Sequence, residues 1–358
     1  MEKNTKILAF YLPQFHPTPE NDEWWGKGFT EWTNVGKAKK LFPGHIQPKV
    51  PADLGYYDLR VPETRIAQAA LAKEAGIDGF CYWHYWFEPG KELLQRPFNE
   101  VLKTKKPDYP FCLAWANESW YAKLWNKDTQ KDKLLIEQKY LGIEDYTKHF
   151  YSLLEAFNDD RYVKYDGKPV FVIYKPLASP EIKVFMDTWQ GLAKKEGFPG
   201  IYFIAHHQNT RKGTKELFSM GFDSVNICVI RGVVGVGDYF SKAIRRLLSV
   251  LGLPKIYSYK KSLRLFFNKD FDSSEKVCPT IITGWDHTPR SGKKGLVMVG
   301  RTPTVFKEHV NEVLENAHGP FIFVKSWNEW AEGNYLEPDL REGKAYLNVF
   351  NEIVRQYR

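Results

Sequence analysis

Eight short, continuously apolar runs, with helical segments between most of them, are the feature that most limits how this 358-residue chain can fold. Continuous rather than alternating hydrophobicity is typical of parallel strands that are covered on both faces. Strands that alternate with helices from end to end predict an α/β fold, most simply a single (β/α)8 TIM barrel. The predicted strands are residues 7–12, 79–83, 111–115, 170–174, 201–205, 224–229, 280–283 and 321–325.

Two stretches between the predicted strands are much longer than ordinary connections. Residues 13–60 follow the first strand and residues 230–279 follow the sixth, and loops after barrel strands lie on the catalytic face. A doubly wound sheet is the alternative fold, but residues 232–237 lack the glycine spacing of a dinucleotide-binding turn. We therefore expect one catalytic domain over residues 1–358, with a basic amphipathic insertion at about 231–279.

Carboxylates, amides and indoles collect after the predicted strands, where a barrel places its functional residues. Indole faces stack on the C–H faces of sugar rings, while amides and carboxylates hydrogen-bond to sugar hydroxyls. This mixture predicts a glycan substrate. The predicted substrate-binding residues are Tyr11, His16, Trp24, Trp25, Glu31, Trp32, His84, Trp86, Asn117, Glu118, Trp120, His206, Trp285, Asp286, Trp327, Asn328 and Trp330.

The segment after the eighth strand supplies a pair of acids, Glu329 and Glu332, flanked by Trp327 and Trp330. Glycosidic bond chemistry uses two carboxyl groups in different protonation states. Residues three apart on a helical turn have Cβ atoms about 5–6 Å apart, and a neighbouring indole can desolvate one acid and raise its pKa. We predict Glu329 and Glu332 as the catalytic pair. The alternative is that they are loop acids that cap the last helix.

No metal or other cofactor is predicted. The adjacent His206 and His207 point in different directions after a strand and have no evident third ligand. Asp270 and Asp272 form a D-x-D pattern, which nucleotide-sugar transferases use for a divalent cation, but so short a motif recurs by chance. Serine-hydrolase and redox-cysteine motifs are missing from the sequence.

The formal charge of +8 is concentrated in residues 241–269, which hold eight basic residues and no acidic one. Apolar residues are interleaved with them, so this segment could make a peripheral contact with an anionic membrane. The alternative is a barrel helix with a solvated basic face, and no nucleic-acid partner is predicted. Four scattered cysteines and the lack of signal or membrane-spanning segments predict a cytoplasmic protein, peripheral at the inner membrane face if that contact forms. The eight basic residues of the segment 241–269 are Lys242, Arg245, Arg246, Lys255, Lys260, Lys261, Arg264 and Lys269.

Long motifs at the strand ends resemble the WbsX family, glycosyltransferases found with bacterial surface-polysaccharide genes. They are AFYLPQFH at 9–16, NDEWWGKGFTEWTN at 21–34, GFCYWHYW at 79–86, WANE at 115–118, GWDHT at 284–288 and WNEWAEG at 327–333. The family is similar in turn to glycoside hydrolase family 99, whose endo-α-mannosidases and endo-α-mannanases are (β/α)8 barrels. The shared signature N-E-W-x-E-G begins at Asn328 and ends at Gly333.

This resemblance implies a metal-independent, retaining reaction on a bacterial surface polysaccharide. Glu329 would deprotonate the 2-hydroxyl, which attacks C1 and forms an epoxide-like intermediate. Glu332 would protonate the leaving oxygen and then activate water. The apolar residues 226–230 depart from the acidic or aromatic run of other members, so the resemblance implies no substrate contacts on that side.

Three alternatives remain open from the residues. Glu118 as acid with Glu329 as nucleophile would give an ordinary double displacement. A nucleotide-sugar-dependent glycosyltransferase in O-antigen or capsule biosynthesis would fit the family name, although the sequence offers no diphosphate cradle. A barrel that binds glycan without catalysis is the third, and the oligomeric state is left open.

Overall fold

The computed structural model describes residues 5–122, 133–234, 243, 250 and 252–358. Eight parallel strands pair in chain order, and the first pairs with the last, so that the sheet closes into a barrel. The predicted (β/α)8 fold is therefore confirmed, with its long loops after the first and sixth strands. The strands are β1 (Lys6–Tyr11), β2 (Gly79–Glu88), β3 (Phe111–Trp115), β4 (Lys168–Ile173), β5 (Tyr202–Gln208), β6 (Ser224–Cys228), β7 (Val277–Ile282) and β8 (Phe321–Lys325).

Helices connect the strands and begin and end where local sequence signals them. The helix after the first long loop starts at Pro62, whose fixed φ suits a first turn, and the chain leaves it through Gly76 at φ +87°. The helix before the carboxyl terminus buries one apolar face against the barrel. The helices are α1 (Pro19–Trp25), α2 (Glu31–Gly36), α3 (Pro62–Glu74), α4 (Arg96–Thr104), α5 (Ile143–Asn158), α6 (Ile182–Lys195), α7 (Thr214–Ser219), α8 (Tyr259–Phe266), α9 (Lys269–Asp272), α10 (Thr288–Ser291), α11 (Pro303–Asn316) and α12 (Ala345–Tyr357).

Short strands outside the barrel shape the loops at the ends of the barrel strands. Lys91–Leu93 pairs with the end of β2, Lys164–Tyr165 pairs with β4, and Trp120–Ala122 forms an antiparallel pair with Lys133–Ile136. Lys255–Ser258 lies parallel to Leu296–Val299. After β8, Asn328–Glu329 pairs with Asn334–Tyr335, and the 3₁₀ turn Trp330–Glu332 lies between them.

Aromatic rings fill the barrel beneath the strand ends. Phe10 lies between Trp83 and Phe323, with ring centroids 4.7 and 5.0 Å away. Each such buried ring contributes roughly 1.5–3 kcal/mol of hydrophobic stabilisation. The stack holds the Trp83 indole in one orientation, which fixes the direction of its N–H.

The two long loops differ in how much of them faces the barrel. The loop after β1 carries α2, which packs against the turn that follows β8. In the loop after β6, helix α8 buries Leu263 and Phe266 and leaves Lys260, Lys261 and Arg264 exposed. The described part of the predicted basic segment thus has a solvated basic face. The remaining basic residues of the segment before Lys255, which are Lys242, Arg245 and Arg246, lie outside the described residues.

Within the described ranges, every helix falls short of the length and apolarity that crossing a bilayer requires.

Candidate active site

A tight turn after β8 brings Glu329 and Glu332 together. Glu329 ends a two-residue strand, and Glu332 ends the 3₁₀ turn that follows it. The turn is terminated by Gly333 at φ +63°, where a Cβ atom would lie 2.7 Å from Asp286 Cβ. Only glycine fits both the left-handed backbone and this close approach. The two carboxyl groups are hydrogen-bonded to each other.

Glu329 is held by two donors from the barrel interior. The indole Nε1 of Trp83 donates to its Oε1 at 2.7 Å, and the Lys325 ammonium donates to its Oε2 at 3.0 Å. Both Lys325 and Glu329 are buried. Burial raises the pKa of Glu329 and the neighbouring Glu332 adds to this, while Lys325 opposes it; the pKa lies above its ordinary value.

Glu332 meets a different set of charges. Arg290 Nη1 donates to its Oε1 at 2.6 Å, and His287 Nε2 lies 3.8 Å from the same oxygen. Burial alone would raise the pKa of Glu332, but Arg290 and Lys325 outweigh burial and hold it below its ordinary value. Arg290 also donates through Nε to Glu31 Oε1 at 2.8 Å. The two acids therefore have opposite pKa shifts although they touch.

The charges of this cluster balance when it holds one proton. Three carboxyl groups, Glu31, Glu329 and Glu332, contact two cations, Arg290 and Lys325. Because burial raises the pKa of Glu329 while Arg290 and Lys325 lower that of Glu332, a proton held by the pair is favoured on Glu329 over Glu332. Since the two acids are coupled, their titration belongs to the pair rather than to either residue.

The turn is supported from behind by a buried polar network. The Trp330 ring stacks on Tyr335 with centroids 3.8 Å apart, and its Nε1 donates to Glu337 at 2.6 Å. Gln68 also donates to Glu337, and Tyr11 donates to Gln68. Trp330 and Tyr11 were both predicted to bind substrate. The Trp330 N–H and the Tyr11 hydroxyl instead donate hydrogen bonds within this network.

Three more of the predicted binding residues hold loops in place. The Asn328 amide donates to and accepts from the backbone of Leu12 at 3.0 and 2.7 Å, which ties β1 to β8. Asn117 makes the same kind of pair with the backbone of Lys175. Asp286 accepts from both sides of the barrel mouth, with His45, Gln47 and Thr288 as its donors.

The end of β2 divides its residues between two faces. His84 Nε2 lies 2.8 Å from His149 Nε2, and the Trp86 ring stacks on His149 at 4.7 Å, so both predicted residues face α5. The alternate residues Trp83 and Tyr85 face the interior, beside Glu329. Trp83 and Tyr85 therefore belong to the candidate site, and the sequence-based selection missed them.

Aromatic side chains border the carboxyl pair on its open side. Trp120 packs edge-on against Tyr85 at 5.1 Å and against Trp24 at 5.9 Å, and Trp25 beyond them is 44% exposed. Trp285 stacks on His287 at 5.8 Å, on the side of Glu332. Of these rings, Trp285 is buried, Trp24 and Trp120 are partly exposed, and Trp25 is exposed.

Glu118 also lies on the open side and forms an ion pair with Lys175, with both side chains partly exposed.

His206 presents an unprotonated nitrogen to the barrel interior. Asn226 uses its Nδ2 to donate to Cys278 and Thr280, so its Oδ1 accepts from His206 Nδ1 at 2.5 Å. Burial, with Lys325 adding to it, lowers the pKa of His206 to about 3. His206 Nε2 therefore carries a lone pair, and the described residues offer it no partner.

The remaining predicted residues are packed near the loop after β1. His16 is buried, and its Nδ1 lies 3.0 Å from the Pro13 carbonyl oxygen. Trp32 donates to the Tyr57 carbonyl at 2.8 Å and contacts the Trp330 ring at 5.5 Å. Trp327 is fully buried.

The residues that could hold a metal do not come together. Among the residues the structure describes, no cluster of three His, Cys, Asp or Glu side chains has the geometry of a metal site. Asp272 of the D-x-D pattern is buried and paired with Arg211 at 2.5 Å, whereas Asp270 is exposed.

Comparison with known proteins agrees with this fold. A family model described as glycosyltransferase WbsX matches residues 7–350. The protein WxcX of Xanthomonas campestris pv. campestris strain B100 is 33% identical over 361 residues, which cover 97% of this chain and 49% of that protein. WxcX of strain ATCC 33913 matches equally, so the chain spans about half the length of the curated relatives it matches.

Two solved structures share the fold at low sequence identity. A GH99 endo-α-mannosidase from Bacteroides thetaiotaomicron superposes with a TM-score of 0.61 at 13% identity, covering 99% of this chain and 97% of that chain. A glycoside hydrolase-like protein gives a TM-score of 0.62 at 15% identity, covering 99% and 95%. With the family match over nearly its whole length, the chain belongs to the WbsX glycosyltransferase family.

Proposed function

We propose that this protein breaks or transfers a glycosidic bond in a bacterial surface polysaccharide, with net retention and with Glu329 and Glu332 as the catalytic residues. The fold and the family support a carbohydrate-active enzyme. The single observation that carries the proposal is the contact between the buried Glu329 and the partly buried Glu332, whose pKa values are shifted in opposite directions.

The reaction uses the proton that the pair already shares. Moving it along the hydrogen bond leaves Glu329 as a carboxylate, which Trp83 and Lys325 stabilise, and makes Glu332 an acid. Glu329 then takes the proton of the sugar 2-hydroxyl, and O2 attacks C1 while the bond from C1 to the leaving oxygen breaks. Glu332 gives its proton to that oxygen.

The second half of the reaction reverses these transfers. Glu332 removes a proton from water or from an acceptor hydroxyl, whose oxygen attacks C1 and opens the epoxide-like ring. O2 recovers its proton from Glu329. Two inversions at C1 give net retention, and the acceptor decides between hydrolysis and transglycosylation.

The geometry of the acids supports this order over an ordinary double displacement. The nucleophile and the acid/base of a double displacement lie about 5–5.5 Å apart, whereas Glu329 and Glu332 are in hydrogen-bonding contact. Glu118, the alternative acid, is partly exposed and paired with Lys175.

The charges argue against a nucleotide-sugar donor. Arg290 and Lys325, the cations that contact the pair, are already neutralised by carboxylates, so they offer a diphosphate no net positive charge. Asp272 is occupied by Arg211. The described site suits an uncharged sugar better than a sugar diphosphate.

We also propose that the protein acts in the cytoplasm, with the basic segment 241–269 resting on anionic lipid at the inner membrane face. Its four cysteines are buried free thiols, which suit a reducing compartment. Co-sedimentation with anionic vesicles at low salt, compared with a variant in which Arg245, Arg246, Lys260 and Lys261 are replaced by Gln, tests the membrane contact. Equal sedimentation of the two proteins would exclude it.

The proposed activity is tested by incubating the protein with a panel of bacterial surface polysaccharides and their oligosaccharides. We expect new reducing ends from at least one substrate, with the first product released in the anomeric form of the bond cleaved, as seen by ¹H NMR. Glu329→Gln should abolish release, while Glu63→Gln, on the exposed surface of α3, should not. Turnover of nucleotide sugars without polysaccharide cleavage would contradict the proposal.

A further inference from the structure

Arg290 forms ion pairs with two acids, Glu31 and Glu332, which lie near opposite ends of the sequence. Its Nε donates to Glu31 Oε1 at 2.8 Å, and its Nη1 donates to Glu332 Oε1 at 2.6 Å. The Glu31 side chain is only 2% exposed, so its ion pair with Arg290 is not a surface pair weakened by water. One guanidinium is thus shared between a catalytic carboxyl and a remote one.

Contacts at the start of helix α2 hold Glu31 beside Arg290. Thr30 caps the helix, and the Glu31 backbone N–H donates to the Gln14 carbonyl at 3.0 Å. The next residue, Trp32, donates to the Tyr57 carbonyl and packs on Trp330 within the catalytic turn. The position of Glu31 is therefore fixed by the same contacts that fix the turn.

We propose that Glu31 is a positioning residue: it orients Arg290 and offsets part of its charge, so that Glu332 can exchange a proton with Glu329. This proposal rests on the proposed function. Without Glu31, Arg290 would have Glu332 as its one carboxylate partner among the described residues and would hold it as an anion. Glu332 would then accept the shared proton less readily and would be a poorer general acid.

Among the residues that the structure describes, the charged and titratable groups that face Glu332 come from several elements. Arg290 and His287 come from the segment after β7, Lys325 and Glu329 from the end of β8, and Glu31 from α2. Tyr174 after β4 and Cys228 of β6 complete the set. Substituting Glu31 alone removes one negative charge and leaves all the others in place.

Glu31→Gln should move both limbs of the pH dependence of kcat/KM to lower pH by about one unit, with about a tenfold loss at neutral pH. The double variant with Glu31→Gln and Arg290→Gln also removes the nearer cation, so both limbs should move to higher pH than in the wild type. It removes both partners of the Glu31–Arg290 ion pair together, so neither is left behind as an unpaired charge, and we expect it to fold even if Glu31→Gln does not. Glu63→Gln is the surface control and should leave both limbs unchanged.

A readout without substrate separates this proposal from the proposed function. In protein with ¹³C-labelled glutamate side chains, the Glu332 signal is assigned by its loss in Glu332→Gln, and its titration is followed by NMR. We expect its midpoint to fall in Glu31→Gln and to rise in the double variant. Unchanged midpoints and limbs would overturn the positioning role even if glycan cleavage is found, and shifted midpoints would support it even if no glycan is cleaved.

Discussion

Glu329 and Glu332 are the same residue type, three positions apart, yet their surroundings shift their pKa values in opposite directions. Glu329 lies deeper, against Trp83 and Lys325, and its pKa is raised. Glu332 faces Arg290, and its pKa is lowered. Acid and base roles at one pH require two groups of different proton affinity, and the proposed roles also require a proton to pass from Glu329 to Glu332 before the first step. The difference arises from three contacts rather than from the sequence of the motif itself.

Glu332→Gln tests the assignment of the general acid. It should reduce cleavage of a substrate with a poor leaving group by about 10²–10⁴-fold, because the leaving oxygen no longer receives a proton. It should largely spare an activated aryl glycoside, which leaves without help. The measurement is kcat/KM for both substrates. If Glu118→Gln shows this pattern and Glu332→Gln does not, Glu118 is the acid.

Lys325→Met tests the role of the buried ammonium. Lys325 favours the ionised forms of Glu329 and Glu332, so its loss should raise the pKa of both. The active, singly protonated pair would then form at higher pH, and the acidic limb of kcat/KM should move upward by about one unit. The pH profile on an activated substrate checks this. An unchanged limb would show that Lys325 does not set the charge of the pair.

At the scale of elements, the turn that carries Glu329 and Glu332 depends on one glycine, Gly333. Gly333→Ala should destabilise the protein and abolish activity, since alanine at φ +63° is strained by about 1–3 kcal/mol and its Cβ would meet Asp286. Gly90→Ala is the matched control: its φ is +78°, but a Cβ there meets nothing within 4 Å. Urea unfolding should place the midpoint of Gly333→Ala clearly below that of Gly90→Ala. Equal midpoints would mean that the contact with Asp286 is unimportant.

The strands were predictable because their signal is local. A buried parallel strand reads as a continuous apolar run, and all eight predicted runs overlap barrel strands. The faces of β2 were not predictable in the same way. Successive side chains on a strand point to opposite sides, and the choice of His84 and Trp86 took the side that faces α5. A count in steps of two from Trp83 would have selected Tyr85 instead.

The cations of the site were missed because no local pattern marks them. Arg290 follows β7 and Lys325 ends β8, and each acquires its role from a carboxylate brought by the fold. Arg290 is paired with Glu31, 259 positions away along the chain. Such a contact has no spacing in the sequence that could reveal it, so it becomes visible only when the barrel closes.

At the scale of the whole molecule, closure of the barrel links the two ends of the chain at the site. β1 pairs with β8, and Asn328 bonds to the backbone of Leu12 across that seam. The loop after β1 then covers the turn after β8 and brings Glu31 and Trp32 to it. The proposed catalytic pair is therefore supported by contacts between the two ends of the described chain. We expect its geometry to be lost together with the global fold.

Glu337 makes global stability depend on pH. Burial raises its pKa to about 7, although Trp330, Gln68 and Tyr57 donate to it. The folded protein therefore keeps a proton that the unfolded chain releases above about pH 4.5. The free energy of unfolding should fall by about 3 kcal/mol between pH 4.5 and pH 7 on this account alone.

Glu337→Gln, an uncharged residue of the same shape, should remove that part of the pH dependence. Urea unfolding of both proteins at pH 4.5 and pH 8 measures it, because all other titrating groups are common to the two. We expect similar stability at pH 4.5 and a more stable variant at pH 8. A constant difference at both pH values would show that Glu337 is ionised in the folded protein throughout, and that its three donors outweigh its burial.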